Sequence, residues 1–203
     1  MRLGRGLSRL VASFGLLALA SCVAAPPTEV SVSTYEVSGD SLNSLQRSAS
    51  AHGPPIPGSP ARAFAAVEYN YLHSFEPVEE AGRCRYNSTG RVGLRAEVIL
   101  PEWRQRDRNR ASPDLQRKWD VLARYASIHE AGHIRISQKY ARLLEGVFRR
   151  STAPTCQKLD AEASRDFAGL FQRLREEQEL FDATDEPRFR RYLRRNGYTL
   201  GPA

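Results

Sequence analysis

The stretch SPDLQRKWDVLARYASIHEAGHIRISQKYARLLEGVFRR, residues 112 to 150, decides the fold. It opens with strong helix-start signals, because Ser112 can cap free amides, Pro113 has no N–H to leave unpaired, and Asp114 is an acid near the positive dipole end. Steps of four and three residues then trace a stripe that is apolar or aromatic except at two histidines: Leu115, Trp119, Leu122, Ala126, His129, His133, Ile136, Tyr140, Leu143 and Val147. The pattern predicts one long amphipathic helix.

The two histidines on this stripe belong to the sequence HEAGH, residues 129 to 133. Residues four apart share a helix face, so His129 and His133 can each place a ring nitrogen at about 2.0–2.1 Å from one Zn²⁺. Glu130 lies beside them, within reach of an attacking water, and suits the role of general base. This spacing is typical of zinc metalloproteases.

The alternative is that these residues are ordinary polar members of the core. A single histidine on an apolar stripe is more often a buried structural residue than a metal ligand. Here His129, His133 and Glu130 together would bury several polar groups, each costing about 1–3 kcal/mol if unpaired. A bound metal removes that cost, so the sequence favours a zinc site.

Before residue 112, apolar residues recur at about every second position, and after it they recur at about every 3.5 positions. Alternation predicts strands at 30–37, 65–75 and 91–101, while the proline-rich GPPIPGSP at 53–60 predicts a loop. A second helix is predicted from about Cys156 to Leu180. The expected fold is α+β, with a small antiparallel sheet packed against the long HExxH helix and a second, antiparallel helix.

The first residues have the pattern of an export signal. Arg2, Arg5 and Arg9 form a basic start, and the apolar run 10–20 is too short for a permanent membrane span. The run ends in Leu-Ala-Ser-Cys at 19–22, which is typical of a bacterial lipoprotein signal with a lipidated Cys22. The alternative is ordinary signal cleavage near residues 24–25, with Cys22 discarded.

Export limits the classes of partner. The chain carries a net charge of +7, and losing the three arginines of the signal leaves +4, a mild excess. Arginine clusters at 104–110 and 188–195 could meet phosphates, but such runs are usually solvated surfaces and an exported protein seldom meets nucleic acid. We therefore expect no nucleic-acid partner.

Cysteine usage agrees with export. With Cys22 lipidated, only Cys84 and Cys156 remain, and an even pair in an exported domain predicts one disulfide. The alternative is a pair of buried thiols.

The chain also resembles a known bacterial family, domain of unknown function 922, whose members are described as predicted secreted zinc-dependent proteases. The resemblance extends from about 33 to 187 and includes Cys84, Trp119 and Cys156 together with the motifs YEVSG (35–39), HGPP (52–55), LPEW (100–103), HEAGH (129–133) and FDATDE (181–186). It implies a zincin-like α+β domain.

The resemblance also bears on the third zinc ligand. The family usually ends with a His-Gly that we take to supply this ligand, but no histidine follows His133 here. Residues 184–186 align with the family's Thr-x-His if one residue is deleted, which makes Glu186 the expected ligand. Two histidines and one glutamate form a competent catalytic set. Other candidates are Asp182, Glu177 and Glu162.

Helix geometry disfavours Glu162 among these candidates. At 1.5 Å per residue, His133 lies about 25 Å before the end of the first helix, but Glu162 lies only about 10 Å into the second. In an antiparallel helix pair, the part of the second helix that lies beside the histidines begins at about Leu174.

These observations predict a lipid-anchored periplasmic zinc metallopeptidase that acts on peptides or proteins. The expected organisation is a lipoprotein signal at 1–21, a tether at 22–29, a zincin-like domain at 30–187 and a basic tail at 188–203. Val23, rather than an aspartate, follows Cys22, which favours the outer membrane. The alternative function is a noncatalytic envelope lipoprotein, a degenerate zincin that holds a partner.

Lipidation of Cys22 is directly testable. Cells expressing the full chain and fed labelled palmitate should incorporate label into this protein, and the Cys22→Ala variant should not be labelled. Labelling that survives the substitution would contradict the assignment.

Overall fold

The computed structural model describes residues 27–198. In this part of the chain, two small sheets and five helices form a mixed α+β fold. The sheets contain β1 (Thr28–Val37), β2 (Ala66–His73), β3 (Pro77–Glu80), β4 (Arg83–Tyr86), β5 (Val92–Trp103) and β6 (Thr152–Ala153). The helices are α1 (Leu42–His52), α2 (Gln105–Arg108), α3 (Pro113–Arg150), α4 (Cys156–Ala183) and α5 (Asp185–Arg195).

The first sheet has the order β1-β5-β2. Strand β2 pairs antiparallel with β5, but β1 pairs parallel with it, in a register that joins Thr28 to Leu94 and Val37 to Trp103. The prediction of a purely antiparallel sheet is therefore wrong for β1. Alternation of apolar residues indicates which face of a strand is buried, and it does not indicate the direction of the neighbouring strand.

The second sheet, of order β3-β4-β6, was not predicted. Its strands are short, and β6 is only the turn between α3 and α4, where Ala153 pairs with Cys84. This pairing brings Cys84 to the first residue of α4, and the disulfide to Cys156 forms with a Cα–Cα distance of 5.0 Å. The predicted disulfide is confirmed, and it ties the start of α4 to the sheet.

Helix α3 begins as predicted. The Ser112 side chain accepts a hydrogen bond from the backbone of Leu115, with Pro113 in the first turn. Helix α4 is capped in the same way by Thr155, which accepts from the backbone of Lys158.

Two hydrophobic clusters lie along α3. The smaller one surrounds Trp119 near the start of the helix and includes Val37, Leu45 and Trp103. The larger one begins at Tyr140 and includes Phe148 and the first half of α4. The HEAGH turn lies between the two clusters, so apolar packing on both sides holds the histidines in place.

Helix α5 covers the start of the HEAGH turn. Residues 188–195, assigned from sequence to a basic tail, form most of this helix. Its aromatic side packs on Tyr125 of α3, with ring centroids 4.7 Å away at Phe189 and 5.1 Å away at Tyr192. Within residues 27–198, none of the helices has the length and apolar character needed to cross a membrane.

The disulfide should contribute to stability without affecting the predicted zinc site. We expect the double variant Cys84→Ser/Cys156→Ser to lose about 2–4 kcal/mol of unfolding free energy, because the bond closes a long loop in the unfolded chain. Urea denaturation measures the loss, and zinc affinity should change little. Two free thiols in the unreduced wild-type protein would contradict the assignment.

Candidate metal centre

Three atoms from α3 and α4 that could bind a metal ion, called the donor atoms below, converge beside the HEAGH residues of α3. The Nε2 atoms of His129 and His133 are 3.0 Å apart. Asp182 Oδ1, from the last turn of α4, is 3.1 Å from Nε2 of His129 and 2.9 Å from Nε2 of His133. A triangle of this size can hold a single cation with bonds of about 2.0–2.2 Å. Among residues 27–198, it is the one group of acids, histidines or cysteines with this geometry.

Gln178 determines the tautomer of His133. Its side-chain amide donates to the backbone oxygen of His133 at 3.2 Å and to Ser137 Oγ at 3.1 Å, so its Oε1 is the acceptor that faces the ring. That oxygen is 2.6 Å from His133 Nδ1, which must therefore carry the proton. The Nε2 lone pair of His133 is then free to bind a cation.

Asp185 acts on His129 from the opposite side. The buried Nδ1 of His129 lacks a well-aligned hydrogen bond to any described residue, yet Asp185 Oδ1 is only 3.2 Å away. Tyr125 donates its hydroxyl hydrogen to this carboxylate, and Arg188 lies 3.4 Å from it. A carboxylate so close favours a proton on Nδ1, which leaves Nε2 of His129 as a second free donor.

The donor set fits a divalent cation. Two lone pairs and a carboxylate oxygen meet within about 3 Å of one another, and without a positive charge between them they would repel. Imidazole nitrogen and carboxylate oxygen are both zinc ligands. Asp182 is exposed, so the donor atoms are accessible to solvent on its side.

The glycine of HEAGH permits the close approach of α4. The ring of Phe181 lies against the backbone of Gly132, where an added Cβ would be 2.2 Å from Phe181 Cζ. The same ring contacts both histidine rings, with centroids 5.0 Å from His129 and 4.9 Å from His133. Phe181 therefore limits the movement of both imidazoles.

Glu130 lies next to the donor triangle and is almost completely buried. Its side chain is 5% exposed and makes no hydrogen bond with residues 27–198. Burial raises the pKa of Glu130 to about 7, His133 opposes this rise, and Asp182 and Asp185 add to it. A carboxyl group with such a pKa can both accept and return a proton near neutral pH.

A groove of about 800 Å³ ends at His129 and Glu130. It runs between α1, α3 and α5, and its apolar lining includes Leu45, Phe64, Trp119, Tyr125, Phe189 and Leu193.

The family model described as "Bacterial protein of unknown function (DUF922)" matches residues 32–188. The chain belongs to this family. The resemblance inferred from the sequence is thereby confirmed, and all three donor residues and Glu130 lie within the matched range. Neither the curated proteins nor the solved structures contain a significant match.

In this DUF922 chain, Glu186 does not join the histidines. It lies in the first turn of α5, where its exposed carboxylate pairs with Arg190. The chain turns at Thr184, between α4 and α5, so Asp182 faces the histidines and Glu186 faces away. Asp182, a reserve candidate in the sequence analysis, occupies the position expected for Glu186.

The other two candidates also have different surroundings. Glu177 binds Lys139 and Tyr140 at 2.6 Å and 3.1 Å, further along α3. Glu162 is exposed near the start of α4, as the hairpin geometry required.

Sequence reasoning missed Gln178, Asp185 and Phe181. The four-residue spacing of Gln178 and Asp182 is a signal that could have helped, because it places both on the face of α4 that carries the third donor. Asp185 gives no such signal, since its position depends on the turn at Thr184.

Replacement of Gly132 tests whether the close contact between Phe181 and the backbone of Gly132 is needed to position the candidate metal ligands. Gly132→Ala must displace Phe181, and we expect metal affinity to fall about 10–100-fold, as when an outer-shell partner is lost. Gly169→Ala in α4 is the matched control, because an added Cβ there meets no atom within 4 Å. The control should bind metal normally and gain about 0.8–1 kcal/mol from helix propensity. Calorimetric titration with zinc compares the two, and equal affinities would contradict the role of Gly132.

Proposed function

We propose that this DUF922 protein is a zinc-dependent peptidase with Glu130 as the general base. The observation that carries the proposal is the convergence of His129, His133 and Asp182 beside a buried, unpaired Glu130. This combination provides both a cation site and a group able to move a proton at neutral pH.

The residues present are suitable ligands for zinc. His129, His133 and Asp182 would hold the ion, and a set of two histidines and one carboxylate is common in catalytic zinc sites. When bound, zinc would act as a Lewis acid on a peptide carbonyl and stabilise the negative charge that develops on its oxygen.

Glu130 carries the proton through the reaction. It accepts a proton from the attacking water while the water oxygen forms a bond to the carbonyl carbon. It then donates that proton to the amide nitrogen as the carbon–nitrogen bond breaks. One water is consumed, and the products are a carboxylic acid and an amine.

The surrounding residues keep the reacting groups aligned. Gln178 holds the proton of His133 on Nδ1, the Asp185 carboxylate near His129 favours the same tautomer there, and Phe181 restricts both rings. Such preorganisation matters because misplacement of a catalytic group by about 1 Å can cost about 100-fold in rate.

A second candidate function is a noncatalytic binding protein on the same scaffold. It is favoured by the absence of a histidine after His133. In this case the cluster is structural, and replacement of Glu130 would leave the function unchanged.

We also propose that the protein is anchored in the outer membrane through lipidated Cys22 and faces the periplasm. The proposal rests on the Leu-Ala-Ser-Cys sequence after the apolar run, which lies outside the described residues. The disulfide supports it, because disulfides persist in oxidising compartments.

Metal content and peptide hydrolysis together test the proposed function. Residues 23–203, produced without a histidine tag, should contain one zinc ion per chain. Glu130→Gln should retain zinc and lose about 10²–10⁴-fold in hydrolysis, because the proton acceptor is gone. Asp182→Ala should lose zinc, whereas Glu186→Ala should retain it and serves as the control.

Mass spectrometry of the metal and cleavage of a peptide mixture provide the measurements. Wild-type hydrolysis that persists in Glu130→Gln would refute the role of the general base. Zinc loss in Glu186→Ala but not in Asp182→Ala would refute the donor set.

A further inference from the structure

The groove that ends at Glu130 gives more detail about the substrate. We infer that it binds an extended, apolar peptide segment on one side of the bond to be cleaved. This inference rests on the proposed peptidase function and adds a substrate class to it.

The position of the groove connects it to the reacting groups. Its floor follows α3 from Lys118 to Glu130, which corresponds to about 18 Å at 1.5 Å per residue. Glu130 is buried, makes no hydrogen bond with the described residues, and lines one end of the groove. A ligand in the groove would therefore reach the general base at that end.

The length and volume of the groove match a peptide. A distance of about 18 Å accommodates about five residues of extended chain at 3.3–3.6 Å each. The volume of about 800 Å³ is within the range of well-formed ligand sites.

The lining of the groove selects apolar side chains. Its lining includes the buried apolar residues Leu45, Trp119 and Leu193, and Phe64 and Phe189 add aromatic surface. Two basic residues that line the groove, Lys118 and Arg62, already have partners. Lys118 pairs with Asp114 at 2.7 Å, and Arg62 donates to the backbone oxygen of Gly53 at 2.8 Å. An acidic side chain would therefore lose water here without gaining an unpaired basic partner.

One edge of the groove offers hydrogen bonds that a peptide backbone needs. Asn43, Gln46 and Ser50 follow one another along α1 at a spacing of three and four residues, and all three line the groove. Their side chains make no hydrogen bonds with residues 27–198 and are exposed. Amide and hydroxyl groups can both donate and accept, as backbone N–H and C=O groups require. A hydrocarbon chain cannot form hydrogen bonds with these side chains, so this edge favours a peptide over an acyl lipid.

Leu122 provides a test within the groove. It lines the groove and lies two turns before Glu130, on the same helix. Leu122→Glu introduces a charge on the apolar surface, whereas Leu143→Glu introduces the same charge at an exposed position of α3 that does not line the groove. Neither residue belongs to the donor set, so both variants should retain zinc.

The experiment incubates the zinc-loaded protein with peptides derived from a whole proteome and identifies the cleavage positions by mass spectrometry. We expect large apolar residues to be enriched within about five positions on one side of the cleaved bond. For the preferred peptides, kcat/KM should fall at least 10-fold in Leu122→Glu and stay unchanged in Leu143→Glu. Cleavage without apolar preference, or equal kcat/KM in the two variants, would overturn the inference and leave the peptidase proposal standing.

A binding measurement separates the two proposals if the wild-type protein cleaves nothing. Apolar peptides and a long-chain fatty acid are titrated against zinc-loaded Glu130→Gln, with tryptophan fluorescence as the signal, because Trp119 lines the groove. Peptide binding that Leu122→Glu abolishes would support the groove as a peptide site and overturn the peptidase. Preferential binding of the fatty acid, or no binding, would overturn the inference itself.

Discussion

The alignment of α3 and α4 depends on hydrogen bonds to two polar residues buried on one face of α3. His133 and Ser137 are buried there, and Gln178 satisfies both through three hydrogen bonds. These bonds stabilise the register between α3 and α4, because they join Gln178 to two residues on successive turns of α3. Asp182 follows one turn later and is thereby brought to the histidines. The geometry of the candidate metal centre therefore follows from the hydrogen bonds between the two helices.

A close backbone approach reinforces this register. Gly132 lets the ring of Phe181 lie against α3, between the two histidine rings. At the other end of the pair, the disulfide attaches the first residue of α4 to β4. The helix pair is thus held at the disulfide and at the candidate metal centre, with the larger hydrophobic cluster between them.

The sequence carried the information for those features that depend on local pattern. The limits of α3, the cap at Ser112, the cysteine pair and the alignment of His129, His133 and Glu130 follow from spacing and residue chemistry. The parallel direction of β1 and the third donor depend on how distant segments meet. Asp182 and Glu186 lie four residues apart, on either side of the turn at Thr184. Because the chain changes direction there, Asp182 faces α3 and Glu186 does not, and the sequence pattern does not indicate this turn.

Helix α5 links the candidate metal centre to the groove. Its first residue, Asp185, approaches His129, and Phe189 and Leu193 form a wall of the groove. The aromatic contacts of Tyr125 with α5 join these roles, because Tyr125 also donates to Asp185 and lines the groove. A ligand in the groove would therefore contact the same helix that carries Asp185. Helix α5 therefore contributes to both features, although it supplies none of the three donor atoms.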